Sequence, residues 1–159
     1  MPPEGIALGT LAFMRTYPWR RIDPVPWTPL AKPLAECRVA LVSSAATMLP
    51  GDDPFDYSGK AGDPTFRLIP SGTDPQTLVE THPSSSFDHS GMAEDMNVAF
   101  PLDRIRELAE SGRIGGVAPR HVSFEGYLPA PGRLRKETAP EAARLLAEDG
   151  VDVALLFPV

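Results

Sequence analysis

The chain has 159 residues and a formal net charge of −6, with 42% hydrophobic and 23% charged residues. That is enough chain for one globular domain with a sizeable core. Its 15 scattered Lys and Arg form no basic stripe, which argues against nucleic acid or an anionic membrane as partner. The single cysteine, Cys37, excludes an intrachain disulfide framework and fits a reducing cytoplasm, and no apolar run approaches the ~20 residues of a membrane span.

In chain order, Ile6, Leu8, Leu11, Ala12 and Met14 predict a short amphipathic helix. "YPWRRIDPVPWTPLAKPL" follows, and proline at that density forbids regular helix. Residues 1–35 therefore read as a helix and a Pro/Trp-rich arm, with Trp19 and Trp27 expected to clamp it onto the body at residues 36–159. "CRVALVSS" is a continuous apolar run ending in Ser43 and Ser44, the pattern of a central parallel strand that opens into a loop. A long Gly-, Pro- and Asp-rich loop leads to a short strand, "TFRLIP", and "DPQTLVET" predicts a turn of helix or strand. The helix "FPLDRIRELAESGRIGG" begins at Pro101, buries Leu102, Ile105, Leu108 and Ala109, and stops at Gly112. "IGGVAPRHVSFEGY" reads as a strand interrupted at Pro119. A second helix, "TAPEAARLLAEDG", has Thr138 and Glu141 at capping-box spacing, and "VDVALLFPV" predicts a buried parallel strand. The order implies an α/β layered sandwich with a mainly parallel sheet and long Pro/Gly-rich loops.

The polar stretch "THPSSSFDHSGMAEDMN" gathers His82, Asp88, His89, Asp95 and Asn97. Imidazole and carboxylate together suit acid–base work or a metal, but the spacings match no metal pattern, and a hydrogen-bonded loop or a pocket wall explains them as well. "HVSFEG" sets His121 and Glu125 near a strand end beside Gly126, where His121 is a candidate proton donor, although a satisfied interior histidine is the commoner case. No P-loop and no dinucleotide fingerprint follow the first strand. Cys37 precedes that strand and reads as a packed, inert thiol. Ser43 and Ser44 lack a nucleophile elbow and read as binders of backbone or ligand oxygen.

"PWTPLAKPLAECRVALVSSAA", "GDPTFRLIP", "FDHSGMAEDMNVAFPLDRIRELAESGRIGGVA", "HVSFEGY" and "APEAARLLAEDGVDVALLFPV" occur, in that order, as in the selenoprotein B family of glycine, sarcosine, betaine and D-proline reductases. The chain resembles that family from about Pro26 onward. The resemblance implies reductive C–N cleavage by a selenocysteine or cysteine nucleophile just past the strand that matches "VDVALLFPV". It also implies reductase partner subunits, one bearing a pyruvoyl group, and a small amino-acid-like substrate. It places Ser43, Ser44, Asp88, His89, Asp95 and Asn97 at the substrate pocket, with His121 as a helper. No cofactor is expected in the chain itself, and selenocysteine is expected beyond Val159, the chain being read as cut short there at a UGA codon. A naturally short, non-catalytic partner- or carboxylate-binding protein is the alternative, and a homo-oligomer is compatible with either.

Overall fold

The structure is a computed structural model and describes residues 8–18, 21–83 and 89–159. Strand β1 (Arg38–Ser43) is the axis of the sheet. One flank carries β5 (Gly116–Val117) and β6 (Arg120–Phe124), both parallel to β1, and then β3 (Phe66–Pro70), antiparallel to β6. The break between β5 and β6 falls at Ala118–Pro119, the predicted interruption, because proline has no N–H for the ladder. On the other flank β7 (Val153–Phe157) runs parallel to β1 along its whole length, from Val39 opposite Val153 to Ser43 opposite Phe157. A separate antiparallel ribbon pairs β2 (Thr47–Met48) with β4 (Val79–Glu80), so "DPQTLVET" supplies both a 3-10 turn, Pro75–Thr77, and a strand.

Alternation along β1 splits the core between two faces. Val39 and Leu41 join Ile69, Phe100 and the helix α3 (Leu102–Glu110), which buries Leu102 and Ile105. Ala40 and Val122 pack under Ala142 and Leu146 of α4 (Ala139–Glu148). Helices on both faces of a mainly parallel sheet make the α/β layered arrangement that the sequence predicts. Gly112 closes α3 at φ 70°, where Gly112 N–H and Arg113 N–H reach back to Ala109 and Leu108 carbonyls. Gly115 is forced by packing: a Cβ there would meet the Glu36 carbonyl carbon at 2.3 Å.

Three expectations change. The capping box at Thr138 does not form: a π-helical turn, Leu134–Thr138, runs into α4, so Thr138 is already helical and its hydroxyl donates to the Pro64 carbonyl. Trp27 does not clamp the arm, since it is 83% exposed, and Trp19 lies outside the described residues. Helix α1 (Leu8–Thr16) likewise buries nothing. Finally, β7 is parallel but not buried. It forms the sheet edge, and Leu156 is 70% exposed because α4 covers β6 and β1 but stops short of it.

Candidate functional site

The carboxyl ends of β1, β6 and β7 lie side by side, the position where open α/β sheets gather ligand groups. Past β1 the chain turns sharply. Ala46 takes φ 52°, a left-handed backbone rare outside glycine, and is held there from two sides. Its N–H donates to the Phe124 carbonyl, while its carbonyl accepts from both the N–H and the hydroxyl of Thr81. Gly126 permits the same close approach, since a Cβ there would sit 3.0 Å from the Ser44 carbonyl oxygen. On the α4 side an open apolar groove of about 860 Å³ runs past Val42, Ala142, Leu146, Ala154 and Leu156.

The polar chemistry lies on the opposite face, the one toward which Ser123 and Glu125 point. The Glu125 side chain is fully buried. Its Oε1 accepts the Tyr127 N–H and lies 3.6 Å from His82 Nε2, while Oε2 has no hydrogen-bond partner. The Tyr57 hydroxyl shares a 3.2 Å hydrogen bond with Thr81 Oγ1. Burial first, and then a side-chain hydrogen bond with the Glu125 carboxylate, push the Tyr57 phenol well above its usual range. Next to this group, Glu80 Oε2 lies 3.0 Å from His89 Nδ1, and Glu80 Oε1 accepts the backbone N–H of His82. Two carboxylates and two imidazoles thus meet in one cluster, yet among the described residues no three His, Cys, Asp or Glu side chains converge as metal ligands.

Of the other sequence candidates, Ser43 and Ser44 line the strand-end groove, and the rest of those described lie away from it. The Ser43 hydroxyl is buried and committed, donating to the Ala99 carbonyl and accepting the Ala45 N–H. Ser44 secures the end of the β7 segment, its Oγ accepting the Val159 N–H at 3.0 Å. Asp95 accepts from Asn97 N, Asn97 Nδ2 and Gln76 Nε2, and these bonds, the Asn97 N–H first, hold its carboxyl below the usual range. Asn97 then bridges to Asp103 at the start of α3. Asp88 lies outside the described residues. His121 is 0% exposed near the amino end of β6, away from the strand carboxyl ends. Its Nδ1 accepts the Leu41 N–H at 3.0 Å, filling the ladder position opened by the β5–β6 break. Burial, helped by the charge of Arg106, lowers its pKa to about 4, so the ring is neutral. Glu80 and Tyr57 were not legible as site residues. The only signal for Glu80 is its place two residues before His82.

The description "glycine/sarcosine/betaine reductase selenoprotein B" matches as a family over residues 7–158. The chain belongs to this family. Among curated relatives, it is 38% identical over 136 residues to the D-proline reductase subunit gamma of Acetoanaerobium sticklandii, covering 85% of this chain and 54% of that protein. It is 28% identical over 145 residues to the sarcosine reductase complex component B subunit beta of Peptoclostridium acidaminophilum, covering 91% of this chain and 33% of that protein. This selenoprotein B-family chain therefore spans about half and about a third of the length of those two relatives. No solved structure gives a significant match. Among the described residues, no helix is long and apolar enough to cross a membrane.

Proposed function

We propose that the chain is the substrate-side part of a selenoprotein B-type component of a glycine-, betaine- or D-proline-type reductase, which cleaves a C–N bond reductively. The polar cluster beside the carboxyl ends of β1 and β6 supports this reading, because its carboxylates and imidazoles can handle the proton that a departing amine takes up. The observation that carries the division of labour is the location of the thiol. Cys37 sits before the amino end of β1, 0% exposed, with Sγ directed at the Lys32 and Pro33 carbonyls at 3.6 and 3.4 Å. A nucleophile has to reach the substrate carbon, and this sulfur reaches nothing but its own backbone.

The attacking selenol or thiol is therefore supplied to the crevice from outside residues 1–159. A pyruvoyl group on a partner subunit would supply the carbonyl that holds the amine, and no residue of this chain is assigned to it. Residues 1–159 alone, given glycine, betaine or D-proline with a dithiol, are expected to show no turnover. Addition of a selenol- or thiol-bearing component together with the partner subunits restores it. Robust turnover by residues 1–159 alone would overturn the reading.

A further inference from the structure

Two apolar features lack cover, and they belong to opposite ends of the sequence. The first is the N-terminal arm. Every residue from Arg21 to Glu36 is exposed, Ile22, Val25, Trp27 and Leu30 among them, and α1 before it buries nothing. The second is the groove on the α4 side of the sheet. There β7 pairs with β1 alone among the described residues, and Leu156 stands bare beside the groove. A parallel sheet is ordinarily covered on both faces, and an open apolar edge strand invites another chain. Single exposed apolar residues are commonplace, but a run of them marks a surface that meets something.

The arm fits such a groove, and its stiffness keeps it out of its own. Pro24, Pro26, Pro29 and Pro33 hold it extended, in the form that docks into apolar channels. At its root Lys32 Nζ lies 2.8 Å from Asp152 Oδ2, and Asp152 also lines the groove. From that anchor, extended chain carries Trp27 about 15 Å away. An arm this stiff does not double back into the groove beside which it is rooted. Charge agrees. Residues 1–35 hold four Lys and Arg against two Asp and Glu, a net +2, whereas residues 36–159, with eleven against nineteen, carry −8. The arm is therefore drawn to the body of another copy.

We propose that two copies of this chain exchange arms, residues 21–31 of each lying in the α4-side groove of the other, with Trp27 against Leu156. Each copy has one arm and one groove, so exchange about a two-fold axis covers both surfaces in both copies. Any other occupant of the groove leaves the arm in water. The second copy's arm then walls the carboxyl ends of β1 and β7, and the groove is complete only in the dimer. None of this depends on the reductase reading.

Light scattering on residues 1–159 at about micromolar concentration is expected to give a dimer. Trp27 and Leu156 are exposed within one copy, so Trp27→Arg and Leu156→Arg should keep the fold, as circular dichroism would show. Each should weaken the dimer about tenfold or more. Cross-linking separates arm exchange from direct pairing of two β7 edges. Trp27→Cys and Leu156→Cys proteins, mixed and oxidised with copper phenanthroline, should join as unlike copies, and Leu156→Cys alone should not join to itself. A monomer would overturn the proposal and leave the groove to a different polypeptide. A dimer indifferent to both Arg variants would overturn it too, as would self-joining of the Leu156→Cys protein, which would assign β7 to edge-to-edge pairing.

Discussion

Two polar clusters draw on one stretch of sequence and end in opposite conditions. Asp95 and Asn97 form a closed set: Asp95 accepts three donors, and Asn97 uses both ends of its amide on Asp95 and Asp103. Together they tie the 3-10 turn at Met96–Val98 to the first turn of α3. His82 and Glu125 form an open set, with a buried carboxylate oxygen left over. A closed set contributes to folding and has nothing further to offer a ligand. An open one gives up stability and keeps a group available for binding, the exchange expected where a site must recognise something.

The comparison can be broken by mutation. His121 gives the largest expected effect and acts as the reference for a purely interior group. Its pKa falls from about 6.5 unfolded to about 4 folded, so the folded state binds fewer protons between those values. Stability is therefore full above the unfolded pKa and is lost as pH falls toward 4, by about 3 kcal/mol in all. Urea denaturation across that pH window should show this slope, and His121→Gln should flatten it. Asn97→Ala, which removes three hydrogen bonds to a carboxylate-rich neighbourhood, should cost about 2–3 kcal/mol in the same measurement. Glu125→Gln should run the other way, leaving stability unchanged or raising it by about 1 kcal/mol, because a buried charge with an unpaired oxygen is removed. A large loss in Glu125→Gln would place Glu125 with the closed set. The smallest effect belongs to Asp95, whose lowered carboxyl pKa stabilises the fold above the unfolded value and ceases to as pH falls through the folded one. Asp95→Asn should trim only the acidic end of the stability profile.

Much of the architecture was legible because short-range rules were enough. Gly112 ends α3, Pro119 breaks the strand, and the apolar run after Cys37 is the sheet axis. Thr138 was misread because the capping-box pattern cannot register a π turn that begins upstream of it. β7 was expected to be buried because its composition gives no information on how far α4 reaches across the sheet. The site was legible only in part. Proximity in sequence put His89, Asp95 and Asn97 in one group, whereas the fold separates them by pairing His89 with Glu80 and Asp95 with Gln76. Glu125 meets His82 across 42 intervening positions, through the pairing of β6 with β1 and the return of β4 to β2. No local spacing encodes that meeting.

Ala46 makes these parts move as one. A single peptide unit, in a conformation its own side chain disfavours, joins the end of β6 through its N–H and the segment leading to His82 through its carbonyl. A ligand that pulls His82 out of place must also strain the turn after β1, so the crevice should resist partial distortion. It would then yield cooperatively or not at all.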